Sequence, residues 1–349
     1  MPARVLRYSP LLLVPAAVLL DTLHTAPAVV FAVSAVAIIP LAHLMGLATE
    51  ELAARTGPTF GGLMNATLGN AAELIIGIFA LRAGLIELVK ASLTGSIIGN
   101  LLLILGLSLF VGGMRHQTQT FNRQAAGMNV ALLALAVVGL VVPALFDFTH
   151  PRGEPVVLEE LSIAVAIVLL AVYVLSLVFS LKTHRKMFRP AEAHQLPTWS
   201  LRRALTALAV STALVAWLSE ILVGVTEETI AELGVSELFL GIIVIPIIGN
   251  AAEHGAAVMM AAKNKMDLSF AVAVGSSTQV ALFVAPLLVF VSLLIGNAMD
   301  LAFTAFEVTA VALATGVVTV ISLDGESNWL EGAQLLAVYG ILAAAFFFF

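Results

Sequence analysis

The 349-residue chain contains no cysteine. Disulfides and thiolate metal centres are therefore excluded, so any bound ion must be held by oxygen or imidazole. Charge is scarce too. Asp, Glu, Lys and Arg make up 11% of the residues, against ~25% in a soluble globular domain. Basic residues are the rarer sign, 16 against 22 acids, and no long run of them occurs, so nucleic acid is not an expected partner. The apolar stretch that follows Arg4 and Arg7 lacks a small-residue cleavage site before the next one and is not read as a signal peptide. What the sequence has in abundance is apolar: 60% of the residues, with a mean hydropathy of +1.07. That excess exceeds what a water-soluble core holds and fits a chain whose solvent is the lipid bilayer.

A helix needs ~20 apolar residues to cross the ~30 Å hydrocarbon layer. Eleven stretches are candidates, at 9–23, 27–47, 59–81, 87–113, 125–146, 160–181, 203–225, 236–262, 268–296, 300–322 and 329–348. The longest polar break, 182–202, carries Lys182, His184, Arg185, Lys186, Arg189, Pro190 and Pro197 and reads as a linker between halves. Lys and Arg test the count, because they are retained on the cytoplasmic side during insertion. With eleven spans, 13 of the 16 fall on one side and only Arg82, Lys90 and Arg152 on the other. The expected fold is thus an all-α polytopic membrane protein of about 11 transmembrane helices. It would lie in the cell (inner) membrane, with the N-terminus and the linker cytoplasmic and the C-terminus outside.

The pentapeptide Gly-Asn-Ala-Ala-Glu occurs twice, at 69–73 and 249–253, an offset of 180. The same offset sets Gly61 on Gly241, Leu88 on Leu268, Gly95-Ser96 on Gly275-Ser276 and Glu87 on Asp267. The copies lie in the third and eighth candidate spans. An odd number of crossings separates them, so they insert with opposite orientation. The expected organisation is an extra helix over 1–26, a five-helix repeat over 27–181, a cytoplasmic linker over 182–202 and an inverted five-helix repeat over 203–349. Inverted repeats of this kind bind their substrate near the bilayer midplane, where the repeats meet.

Glu73 is the one ionisable residue between Thr59 and Leu81, and Glu253 and His254 are the only two between Leu238 and Ala262. A charge near the bilayer centre costs ~2.5–3.5 kcal/mol or more on the insertion scale. A carboxyl kept there for packing alone would not need to recur with the same neighbours in both repeats. Asn70 with Glu73 and Asn250 with Glu253 are spaced i, i+3 and share helix faces. Asn65 and Gly69 precede Glu73 on the same stripe, and Pro246 removes a donor and frees a carbonyl in span eight. Two carboxylates with amide oxygens suit a hard cation such as Ca²⁺. One divalent ion or two protons would neutralise the pair equally, and that equivalence is an exchange mechanism.

The spans that follow add Ser92, Thr94, Ser96 and Asn100, and Ser276, Ser277, Thr278 and Gln279. A membrane Ser or Thr is more often a helix–helix hydrogen bond than a ligand, but Ser96 and Ser276 match by symmetry. Asn100 and Gln279 sit one position out of register. His254 reads either as a proton relay or gate beside Glu253 or as a satisfied structural histidine; His43 reads as structural. Glu50 and Glu220, each after a hydroxyl residue, fall on corresponding spans and would line entry and exit routes; for Glu50 a solvated helix end is the alternative.

The stretches Gly62–Ile75, Thr94–Leu105, Gly241–His254 and Val274–Pro286 resemble the Ca²⁺/H⁺ exchanger (CAX) family of the cation/Ca²⁺ exchanger superfamily, and the likeness covers nearly the whole chain. It implies an antiporter that is not an enzyme and has no cofactor, with Ca²⁺ and protons as substrates. By the same resemblance Glu73 and Glu253 are the central metal ligands, with Asn70, Asn250, Ser276 and Gln279 in support and Ser96 added by symmetry. Proton coupling falls to Glu73 and Glu253, with His254 beside the site, and spans two and seven slide or rock against the rest. Many relatives carry an acidic helix in the central linker. Here that segment has one acid, Glu192, among several Lys and Arg, so such a sensor is not expected.

Alternatives remain within transport: Na⁺ as the counter-ion, or Mn²⁺ as the cargo. A zinc protease would want His-Glu-x-x-His, which this chain lacks. The sequence leaves a homo-oligomer open.

Overall fold

The computed structural model describes residues 9–150, 155–188 and 197–348. Expectations resting on Arg4, Arg7, Arg152, Arg189, Pro190 and Glu192 lie outside them. The described chain is almost entirely helical, as lipid demands of a backbone that must satisfy its own hydrogen bonds. In order, the helices are α1 (Leu13–Thr22), α2 (Pro27–Leu68), α3 (Ala71–Arg82), α4 (Ile86–Ile98), α5 (Leu105–Arg115), α6 (Arg123–Thr149), α7 (Pro155–Val178) and α8 (Arg185–Phe188). The second half continues with α9 (Leu201–Gly224), α10 (Thr226–Leu233), α11 (Glu237–Phe239), α12 (Ile245–Gly249), α13 (Ala251–Ala262), α14 (Met266–Gln279), α15 (Ala285–Ile295), α16 (Ala305–Ile321) and α17 (Trp329–Phe348). π-helical turns at Gly99–Ile104 and Val280–Val284 join α4 to α5 and α14 to α15, and two more lie at Phe179–Thr183 and Leu240–Val244.

Among the described residues, seven helices are long and apolar enough to cross a membrane unbroken. The remaining candidate spans are not straight rods. Residues 60–68 and 71–82 meet at 41°, and α12 and α13 are separated at Asn250. α1 and α16 are shorter apolar helices; ten residues of α1 rise only ~15 Å. Helix α10 bends away by 114° from the helical run that follows it, because Glu227, Glu228 and Glu232 keep it out of hydrocarbon. Gly57, at φ +80°, breaks α2, a conformation a residue with a Cβ rarely takes.

Contacts between turns sort them onto two faces. On one, Glu51 accepts backbone N–H groups of Thr198 (2.8 Å) and Trp199 (3.0 Å) of the linker. There β1 (Gln119–Thr120) also pairs antiparallel with β2 (Glu326–Ser327), and Gln119 Nε2 donates to Ala261 O (2.8 Å) and Asn264 Oδ1 (3.0 Å). On the other, Ala28 N–H donates to Glu232 (3.0 Å) and Leu301 N–H to Ser162 (2.9 Å). Lys90, read from sequence only as a charge of the outer side, is buried on that face. It pairs with Asp300 (2.8 Å) and Glu87 (3.3 Å) and donates to Ala302 O (3.1 Å). The two groups of turns alternate along the chain, as successive crossings require.

The core is continuous through the centre, with α4, the π turn after it, α14 and α15 among its most buried helices. Helices α2 and α9 pack along each other, with α1 against both.

Candidate functional site

Each pentapeptide sits at a helix break. Asn70 lies between α2 and α3 with φ −96°, ψ 21°, and Asn250 between α12 and α13 with φ −99°, ψ 2°. Both occupy the bridge region, sparsely populated and frequent at functional sites. Each precedes a helix whose first turn holds the glutamate, Glu73 or Glu253. An asparagine at that position commonly caps the helix with its side-chain oxygen; neither does so here. Their amides turn to the other repeat instead. Asn70 Nδ2 donates to Gln279 Oε1 (2.7 Å) and Asn250 Nδ2 to Ser96 Oγ (3.3 Å).

The two carboxylates face each other across the repeat boundary, within electrostatic reach. The point where Gly69 would carry a Cβ is 3.6 Å from Glu253 Oε1, and the same point at Gly249 is 3.6 Å from Glu73 Cγ. Thus the glycine of each copy makes room for the glutamate of the other. Glu73 Oε1, Glu253 Oε2 and Asn70 Oδ1 are buried oxygens with no hydrogen-bond partner among the described residues. Leaving such acceptors unpaired in a dry interior is costly. Buried unpartnered oxygens of this kind can coordinate a hard cation or, at the carboxylates, take up protons. Among the described residues no cluster of three or more His, Asp or Glu occurs, so the oxygen set is two carboxylates plus neutral amides and hydroxyls.

A second chain of bonds supports the first. Ser276 lies within hydrogen-bonding reach of the Glu253 carboxylate. Asn100 Nδ2 donates to Ser276 Oγ (3.2 Å), and Asn100 Oδ1 faces His254 Nε2 at 3.1 Å. Because the amide nitrogen is spent on Ser276, the imidazole must donate through Nε2. His254 therefore reaches Ser276 and Glu253 through a carboxamide. Asn100 was the residue that sequence register obscured. The π turns beginning at Gly99 and Val280 lie at matching places in the two repeats, and a π turn adds a residue to the helix there. The available signal was the Gly-Asn dipeptide, which recurs at 69–70, 99–100 and 249–250.

Other expected residues lie elsewhere. Glu50 and Glu220 are both exposed, and among the described residues no hydrogen bond links either to the central pair. Glu220 lines a recess of about 330 Å³ with Asp21 and Trp217. The carbonyl freed by Pro246, that of Ile242, is turned toward α4. It lies where a Cβ on Gly95 would be, so it packs α4 backbone against the helix before Pro246. His43, read as structural, is exposed.

The two repeats are packed unequally. Gly95 touches Ile242, and Gly241 touches Ala91, sealing α4 against the run into α12. The counterpart of Gly95, Gly275, has nothing within 4 Å of its Cβ position. It lines a cavity of about 380 Å³ with Asn129, Tyr173, Ser176, Thr278 and Gln279, which extends to Phe179 and Ser180 on the linker face. Gln279, in the wall of this cavity, also accepts the hydrogen bond from Asn70.

Helices broken at both copies of the pentapeptide, each copy setting its glutamate against the other's glycine, are the arrangement of an ion-coupled membrane carrier. Comparison with known proteins makes the assignment specific. The family model described as sodium/calcium exchanger protein matches residues 26–182 and 203–348, and the chain belongs to that family, in its Ca²⁺/H⁺ exchanger branch. A protein of Synechocystis named Ca(2+)/H(+) antiporter is 49% identical over 337 residues, 91% of each chain. The Bacillus subtilis protein named Ca(2+)/H(+) antiporter ChaA is 46% identical, with 96% of each chain covered. The solved structure of native YfkE superposes with a TM-score of 0.85 at 44% identity, covering 96% of this chain and 97% of that one.

Proposed function

We propose that the chain is a secondary active antiporter that exchanges Ca²⁺ for H⁺ across the membrane by alternating access. The observation that carries the reading is the pair of buried carboxylates, Glu73 and Glu253, each with an unpartnered oxygen and each facing the glycine of the opposite repeat. Two relatives at 49% and 46% identity bear the name Ca(2+)/H(+) antiporter, which supports the choice of ions.

Coupling follows from charge. With both carboxylates ionised and unliganded, the site would carry two uncompensated charges in a low-dielectric interior, which is prohibitive. Loaded with one Ca²⁺ or two protons it is neutral and can cross. Asn70, Asn250, Ser276, Gln279 and Ser96 supply or orient neutral oxygens. Asn100 and His254 brace Ser276 and Glu253. Glu50 and Glu220 stand on the routes at the two ends of the α2–α9 pair.

Residues 27–181 and 203–349 are taken as the inverted repeats, in line with the two matched segments, with 1–26 an extra helix and 182–202 the linker. The excess of Lys and Arg on the linker face favours a cytoplasmic linker and N-terminus and an external C-terminus. On that orientation the cavity beside Gln279 opens to the cytoplasm. A Na⁺-coupled reading would need further ion ligands beyond this single cluster, and Mn²⁺ would use the same oxygens as Ca²⁺. Uptake into proteoliposomes under a pH gradient tests the proposal. Transport in Glu73→Gln or Glu253→Gln at the wild-type rate would overturn the site.

A further inference from the structure

We propose that the groove between α2 and α13 is a binding site for one phospholipid of the leaflet on the linker side, with its acyl chain in the groove and its phosphate at Lys263. The groove encloses about 620 Å³ and is lined on α2 by Val36, Pro40 and His43 and on α13 by Gly255, Met259 and Lys263. It lies apart from the Glu73–Glu253 pair, along the outer face of the helix that carries Glu253.

Its polarity runs in the same sense as a lipid. The end near the midplane is walled by Val36 and Ala251, whereas the end near the linker face holds His43 and Lys263. From 251 to 263 the α-helical rise is ~18 Å, about one leaflet's share of the ~30 Å hydrocarbon layer. His43 is exposed, within a membrane-crossing helix; it has no hydrogen-bond partner among the described residues, and Glu50 of the same helix lies within electrostatic reach. An imidazole facing hydrocarbon is unfavourable unless a polar group meets it. The ester and phosphate oxygens of a lipid whose tail fills the apolar end arrive at that level. Lys263 is also exposed and makes no side-chain hydrogen bond among the described residues, and basic side chains between helices at this depth attract acidic headgroups.

The groove has a bearing on transport because of what forms it. One wall is α2, packed on α1 and α9; the other is α13. Any sliding of the α2–α9 pair past the glutamate-bearing helix changes its width, so a bound chain acts as a wedge with a preference between conformations.

Retention of lipid by the purified full-length protein is the test, read by native mass spectrometry with phosphatidylglycerol or phosphatidylcholine supplied. Gly255 has nothing within 4 Å of its Cβ position, so Gly255→Leu should fold and fill the groove. The wild type should retain phosphatidylglycerol in preference to phosphatidylcholine. Lys263→Gln should lose that preference, and Gly255→Leu should lose most of the retained lipid of both kinds. Leu294→Ala, on another lipid-facing surface, should match the wild type. No headgroup preference in the wild type, or undiminished retention in Gly255→Leu, overturns the proposal. The readout is independent of which ions are exchanged.

Discussion

Asn100 shows how much of this site is held by residues that do not themselves need to touch the ion. It joins His254 to Ser276 with one side chain, using both ends of its amide. Removing an outer partner of a metal ligand typically lowers affinity ~10–100-fold, and Asn100→Ala should weaken Ca²⁺ binding within that range while leaving the maximal exchange rate less affected. Isothermal titration beside uptake kinetics would separate the two. Glu73→Gln and Glu253→Gln should instead reduce uptake to the protein-free background with the folded fraction unchanged, because either leaves one carboxylate to balance a divalent ion. The glutamates were legible in the sequence because an ionisable residue inside an apolar span is anomalous by itself. Asn100 was not, since an amide in a membrane helix has bland explanations and the position matching it at the repeat offset, 280, is a valine. For His43, nothing in sequence separates a buried histidine from one facing a groove.

At the scale of elements, the paired breaks decide the geometry. The repeat offset located both pentapeptides, but it could not show that Asn70 and Asn250 share one non-helical conformation and decline to cap their helices. Hydropathy marked most spans to within a few residues. It overran where apolar composition continues past the hydrogen-bonded helix: the stretch at 300–322 begins as an irregular segment, and the helix starts at Ala305 behind a Thr304–Glu307 capping box. Pro246, read as a breaker, lies four residues before the break at Asn250. Its freed carbonyl at Ile242 is consumed by close packing against Gly95. A side chain at Gly95 would collide with that carbonyl, so Gly95→Val should destabilise the fold by ~1–3 kcal/mol, the usual range for overpacking. Thermal unfolding in detergent, compared with Gly275→Val, would check it. The latter has open space at its Cβ position and should melt near the wild type.

For the whole molecule, the unequal packing of matched surfaces carries the argument for alternating access. If the two repeats exchange roles, the open cleft at Gly275 must close as the sealed one at Gly95 opens. Gly275→Val should therefore bind Ca²⁺ from the linker side as the wild type does yet fail to turn over, a split between binding and transport that a merely damaged protein would not show. Sequence alone could not reveal this asymmetry, because the symmetry of the repeats is what it records. The central claim, exchange of Ca²⁺ for protons at Glu73 and Glu253, is tested most directly by radiolabelled calcium uptake into proteoliposomes with an acidic interior, with and without a Na⁺ gradient. The account predicts uptake that follows the pH gradient, ignores Na⁺ and vanishes in Glu253→Gln. Uptake that requires Na⁺, or that survives in Glu253→Gln, would contradict it.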